Sequence, residues 1–125
     1  MNPVPAPAPW PHPRRGEIWW VALDPTRGSE INKTRPCVVL SSDRLGRIPL
    51  RTVVPLTGWK EQHEGRWPCV KIEPDGRNGL DKISTADGTQ ARCVALERFR
   101  SKLGSLDSDL LRDVASSVAL TIEAA

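Results

Sequence analysis

The sequence predicts a small α+β domain of barrel-like build, with five or six short strands followed by one terminal helix. Three observations carry that expectation. Short runs of apolar and branched residues recur through the middle of the chain, each bounded by Gly, Pro, Asn or Asp. The one sustained helical periodicity stands at the C-terminal end. Its 125 residues fit a single domain.

Taken in order, Met1 to Arg14 form a segment apart. Prolines at 3, 5, 7, 9, 11 and 13 alternate with small residues, Trp10 and His12. Proline at every second position fits neither a helix nor a paired strand, so this arm is expected to be extended or disordered. The ordered domain is expected over residues 15–125. Gly16–Leu23 (GEIWWVAL) reads as a strand and Asp24–Thr34 as a polar loop punctuated by Pro25 and Gly28. Pro36–Ser41 (PCVVLS) is a continuous apolar strand, expected to be central, and Leu50–Leu56 is another. Arg66–Ile72 alternates like a half-buried strand. Pro55 and Pro68 suggest edges or bulges. Gly58–Gly65 and Glu73–Gly79 read as turns. Leu80–Phe99 is ambiguous, with strand-like pieces near Ile83 and at Arg92–Leu96. Asp107 is placed to cap the final helix, with Asp109 in its first turn and Leu110, Leu111, Val114, Val118 and Ile122 at helical spacing.

Composition narrows the functional classes. No apolar run approaches the roughly 20 residues that span a bilayer, and the N-terminus lacks a secretory apolar core, so a cytoplasmic protein is expected. Three cysteines, widely spaced and with no C-x-x-C, support neither a disulfide framework nor a zinc site; Cys37, Cys69 and Cys93 read as small buried hydrophobes. A net charge of +3 permits phosphate binding without demanding it. Phosphate-loop, dinucleotide and metalloprotease motifs are all missing, and the carboxylates show no metal-ligand spacing. Neither a metal nor a cofactor is expected. Of the two histidines, His12 lies in the arm and His63 in a charged loop, where it reads as solvated.

The chemistry that remains is a polar loop feeding a buried strand: Gly28-Ser29-Glu30, then Thr34-Arg35-Pro36. A guanidinium held at the mouth of a rigid strand suits phosphate oxygens. Thr57 closes a neighbouring strand and has a hydroxyl to offer the same site. These residues mark a candidate anion pocket, or else a surface ion pair between Arg35 and Glu30.

A resemblance extends this reading. The run Arg15-Gly16-Glu17-Ile18-Trp19-Trp20, then Asp24-Pro25-Thr26-Arg27-Gly28-Ser29-Glu30, then Arg35-Pro36-Cys37-Val38-Val39-Leu40 resembles the N-terminal signature of the MazF/PemK toxins. Looser similarity continues through Val53–Thr57, Gln90-Ala91-Arg92 and the helix. The resemblance implies an SH3-like β-barrel of about five to seven strands with a C-terminal helix, assembled as a homodimer. It also implies the toxin of a type II toxin–antitoxin system, held in check by an antitoxin protein. Such a toxin cleaves single-stranded RNA at short sequences without metal, leaving a cyclic phosphate and a 5′-hydroxyl. Arg35 matches the family's catalytic arginine, Thr57 its catalytic partner in several members, and Glu30 a residue assigned a role in some. One departure stands out: Thr89 occupies a position before Gln90 that is acidic in many members.

A cyclic phosphate requires the 2′-hydroxyl as nucleophile, which would spare DNA. Arg35 is then expected to stabilise the phosphorane and to serve as a possible acid, Thr57 to position, and Glu30 to act as base. Trp19 and Trp20 are adjacent, so one should face the core and the other the surface or a dimer partner. Trp59 is the best candidate for stacking on a base, while Arg27, Ser29, Lys33, Lys60 and Gln90 are candidate RNA contacts. Two other readings share the fold: a gyrase-poisoning toxin, and a non-enzymatic SH3-like binding module. The Arg35-Pro36 and Gly-Ser-Glu elements argue against the first. With no Tyr and a single Phe, an aromatic groove is hard to build for the second.

Overall fold

A computed structural model describes residues 10–124, so residues 1–9 of the expected proline arm (1–14) lie outside the described part. Seven strands and one helix make up the chain: β1 (Glu17–Ala22), β2 (Thr34–Val39), β3 (Leu50–Gly58), β4 (Cys69–Ile72), β5 (Ser84–Asp87), β6 (Arg92–Ala95), β7 (Phe99–Ser105) and α1 (Ser108–Thr121). All pairings are antiparallel, in the order β4-β5-β3-β2-β1-β7, with β6 also on β3. The architecture is α+β and SH3-like, but the ladder is open among the described residues, not a closed barrel. The opening follows from β3. Its first half, Leu50–Val53, pairs with β6 and its last residues, Leu56–Gly58, with β5. Pro55 sits at that changeover, within the strand and not at its edge, where no ladder bond on that side needs its missing N–H.

β2 and β3 are buried on both faces, which explains their unbroken apolar runs. On one face Val38, Leu40, Val54 and Leu56 pack with Ile18 and with Val114 of α1. On the other, Cys37, Val39 and Val53 pack with Val21, Leu23, Val94, Leu96 and Phe99. Fully burying a residue of this size contributes about 1.5–3 kcal/mol. Asp107 caps α1, accepting from the Leu110 amide at 2.9 Å. The helix docks closely, because a Cβ on Gly88 would stand 2.8 Å from Ser117 Oγ and 2.9 Å from its carbonyl carbon. Ile122, expected on the buried stripe, lies past the helix end and is 70% exposed.

Several expectations need adjusting. β2 starts at Thr34, so Arg35 lies inside the strand, paired with β1, and not at its mouth. β4 starts only at Cys69, because residues 64–68 are spent on turns and an irregular stretch. β7 was not legible at all: apart from Phe99 it is polar or half-buried, and it follows β1 with two register shifts. Of the cysteines only Cys37 is buried; Cys69 is half-buried and Cys93, opposite in facing to Val94 on β6, is exposed.

Pro13 and Arg14, assigned to the arm, are held against the domain. Pro13 is buried and its carbonyl accepts from Arg51 Nε at 3.0 Å. The other Arg51 nitrogens reach the carbonyls of Ile48, Leu50 and Gly46, so every nitrogen of the guanidinium has a partner on a residue only 5% exposed. Nearby, burial tends to raise the Glu17 carboxyl. Hydrogen bonds from the Arg14 amide, Trp19 Nε1 and Lys102 outweigh it and hold the carboxyl below its ordinary value.

Candidate active site

Arg35 is the second residue of β2, and its Cα partner on β1 is the fully buried Val21. Its Nε donates to the Asn32 carbonyl at 3.1 Å, which fixes the stem of the guanidinium. None of the ion pairs among the described residues involves Arg35. The surface pair with Glu30 is therefore not formed; one Glu30 oxygen instead accepts from the Arg27 amide at 2.9 Å.

Strand pairing brings Thr57 to Arg35. β2 and β3 stay paired as far as Cys37 and Pro55, and just beyond the end of that pairing Arg35 and Thr57 line one cleft. Thr57 in turn pairs with Thr85 of β5. Where β3 runs on past β2 to pair with β5 a cleft of about 230 Å³ opens, lined by Arg35 and Thr57 together with Trp20, Leu80, Asp81, Lys82 and Ser84. Lys82 crosses Gly58: a Cβ there would stand 3.6 Å from its Nζ, so the ammonium rests beside the Gly58 backbone, next along β3 from Thr57. Behind the cleft, the 73–79 turn crosses β7 backbone to backbone. A Cβ on Gly79, whose φ is +70°, would fall 2.3 Å from the Leu103 carbonyl oxygen.

The loop between β1 and β2 is exposed from Arg27 to Glu30 yet anchored at both ends. Arg92 donates to the Leu23 carbonyl, and Arg98 to those of Ala22 and Asp24. The Leu23 amide closes the loop on the Lys33 carbonyl, with Lys33 in the left-handed region at φ 68°. Gln90 spans the tip: its Oε1 accepts from the Ile31 amide at 3.0 Å and its Nε2 donates to the Ser29 carbonyl at 3.1 Å. Gln90 is thus committed to the loop backbone. Thr89, at the family's acidic position, is bound through both amide and hydroxyl to Asp87.

Beyond Thr57, Trp59 is half-buried. Lys71 Nζ lies 5.0 Å from the centre of its ring, and the His63 ring meets it edge-on at 5.5 Å. His63 is not simply solvated, since its Nδ1 meets the Lys60 amide and Thr85 Oγ1. Of the adjacent tryptophans, Trp19 packs edge-on against Phe99 at 5.9 Å while Trp20 is 36% exposed in the cleft. Trp20, Lys82 and His63 were missed as site residues; only the pairing of two tryptophans on one strand pointed outward at all. Among the described residues no group of three or more His, Cys, Asp or Glu could hold a metal, and no helix is long and apolar enough to cross a membrane.

Residues 14–122 match the family of PemK-like, MazF-like toxins of type II toxin–antitoxin systems. The endoribonuclease MazF9 of Mycobacterium tuberculosis (strain ATCC 25618 / H37Rv) is 34% identical over 116 residues, covering 88% of this chain and 96% of the relative. The probable endoribonuclease MazF1 of the same strain is 39% identical over 79 residues, or 52% of this chain and 85% of the relative. Among solved structures, MazF (Form-I) from Deinococcus radiodurans superposes with a TM-score of 0.71 at 20% identity, covering 89% of this chain and 96% of that one. An endoribonuclease in complex with its cognate antitoxin, from a mycobacterial species, gives 0.67 at 15% identity, with 89% and 95% covered. The fold is common to all of these, and with 109 of its residues (14 through 122) inside the family match, the chain belongs to the PemK-like, MazF-like toxins of type II toxin–antitoxin systems.

Proposed function

We propose that this toxin is an endoribonuclease that cleaves single-stranded RNA, mRNA included, at short sequences without a metal ion and so stops translation. One observation carries the proposal: Arg35 and Thr57 line one cleft, and among the described residues no carboxylate, Asp81 of the same lining included, lies within ion-pair distance of the guanidinium. A phosphate seated there meets a planar fork of donors and a hydroxyl.

The RNA's own 2′-oxygen attacks the adjacent phosphorus and the bond to the 5′-oxygen breaks, leaving a 2′,3′-cyclic phosphate and a 5′-hydroxyl. The proton of the 2′-hydroxyl goes to a base, and the departing 5′-oxygen takes one up. Arg35 stabilises the charge on the phosphorane and stands as the possible acid, and Thr57 positions the phosphate. Glu30 is the candidate base; it stands outside the cleft lining, on a loop that Gln90 steadies, with one carboxylate oxygen accepting from the Arg27 amide. Exposed Arg27, Ser29, Lys33 and Lys60 contact the strand, Lys82 adds charge beside Thr57, and Trp59 and Trp20 offer rings to splayed bases. Gln90 serves through its loop. DNA, lacking the 2′-hydroxyl, is not cut.

The toxin works as a homodimer and is silenced by a cognate antitoxin protein in the cytoplasm. The exposed apolar side chains of Ile48, Leu50, Trp67, Leu120 and Ile122 offer surface for such contacts. Incubating purified protein with a long RNA in EDTA and mapping the ends tests the reading. Discrete cuts with cyclic-phosphate and 5′-hydroxyl ends are expected; cleavage abolished by EDTA and restored by Mg²⁺ would overturn the metal-free mechanism.

A further inference from the structure

The turn after β3 carries a histidine that neither the motif nor the proposed mechanism uses, although it is tied to the same row of the sheet. Thr57 is the cross-strand partner of Thr85, Thr85 is the partner of Lys71 on β4, and His63 Nδ1 lies 2.8 Å from Thr85 Oγ1. Cross-strand partners direct their side chains to one face. Thr57, Thr85 and Lys71 therefore form a row of hydroxyl, hydroxyl, cation across three strands, with His63 seated over Thr85 and Arg35 in the cleft beside Thr57.

The hydrogen bonds settle the state of the ring. The Lys60 amide points its proton at Nδ1 at 3.1 Å, so Nδ1 is the acceptor and the ring proton sits on Nε2. The Thr85 hydroxyl, whose residue is 1% exposed, lies 2.8 Å from the same nitrogen and shares its single lone pair in a three-centre contact. Trp59 meets the ring edge-on, at 67° between planes, and limits its rotation. What remains for a ligand is the Nε2–H, on a ring whose Nδ1 is already paired.

The cation held beside it favours an anion. In its own turn Lys60 and Arg66 are matched by Glu61 and Glu64, Asp87 stands two residues along β5 from Thr85, and the cation brought nearest the Trp59–His63 pair is Lys71, held over the Trp59 ring. Thr85 lies two strands from Arg35, a separation of about 10 Å. That is too far to share the phosphate at Arg35 and near enough for another phosphate of the same strand. We infer that His63 is an RNA-binding residue whose Nε2–H donates to a backbone phosphate flanking the cut. The inference rests on the proposed ribonuclease reading.

The test uses a short RNA copied from the strongest cut that the wild-type protein makes in a long transcript. His63→Asn places an amide oxygen near the position of Nδ1, keeping an acceptor for Lys60 and Thr85, but removes the Nε2 donor. It should raise KM about tenfold, leave kcat within about twofold and leave the melting temperature unchanged. Thr85→Val keeps the buried shape and frees the ring, so it should raise KM in the same direction by less, and it carries the test should the Asn variant fold poorly. A wild-type KM in either well-folded variant overturns the role of His63, and so does a loss in kcat that tracks a lower melting temperature. Wild-type protein that cuts no RNA overturns the ribonuclease reading, and this inference with it.

Discussion

Gln90 holds Ile31 across 59 residues of sequence, its Oε1 accepting the Ile31 amide at 3.0 Å while its Nε2 donates to Ser29. The loop bearing Ser29 and Glu30 is thereby fixed from outside. Gln90→Leu keeps the bulk and removes both bonds. At about 1 kcal/mol each, their loss should cost roughly 2 kcal/mol of local stability. Hydrogen exchange at the Ile31 amide should accelerate by tens of fold and RNA cleavage should drop several-fold, with little change in melting temperature. Unchanged exchange at Ile31 would show that the loop is held by its base alone.

Arg51 predicts a stability defect without a defect in chemistry. Its guanidinium serves the carbonyls of Pro13, Gly46, Ile48 and Leu50. Arg51→Met leaves them facing an apolar chain, and one buried unsatisfied group costs about 1–3 kcal/mol. Chemical denaturation should show a loss of roughly 3 kcal/mol or more. Removing residues 1–12 should leave these bonds intact, whereas removing Pro13 as well should not.

The cysteines should separate by reactivity. Burial pushes the Cys37 thiol up from 9.0 to about 12, against a lesser lowering by Arg92. A thiol reagent at neutral pH should modify exposed Cys93 at once and Cys37 only on unfolding. The same shift sets a pH dependence. Between 9.0 and about 12 the unfolded thiol loses its proton while the folded one keeps it, so stability falls as pH rises. The slope from this group is at most about 1.4 kcal/mol per pH unit. Cys37→Ala should remove that component, measured as the difference between the two proteins' denaturation curves.

Much of this molecule is legible in its sequence because local chemistry and tertiary role agree. Pro36–Leu40 is apolar throughout and is buried on both faces; Asp107 caps the helix it precedes. β7 escaped notice because only Phe99 and Leu103 reach the core and the polar residues between them show no apolar alternation, while the strand follows β1 with two register shifts. At the site, Arg35 and Thr57 stand 22 positions apart and are united only by strand pairing, which no local pattern displays. Lys82 and Trp20 reach the cleft from β5's approach and from β1. His63 reads as one more polar residue in a charged turn until Thr85 is seen beneath it.

The central claim is that the Arg35 guanidinium stabilises the transition state. Substituting Arg35→Ala and Arg35→Lys in full-length protein and measuring single-turnover cleavage of a fixed RNA tests it most directly. Both variants should fold as wild type, because Arg35 makes no ion pair and only its Nε bond to Asn32 is lost. Loss of one such contact is worth about 3–4 kcal/mol, or roughly 10²–10³ in rate, and an ammonium lacks the bidentate fork that would recover it. Thr57→Val, which keeps the shape and removes one hydroxyl, should cost less than either. The account predicts a well-folded Arg35→Ala protein that is slower by at least two orders of magnitude. Full-rate cleavage by that same protein would contradict it.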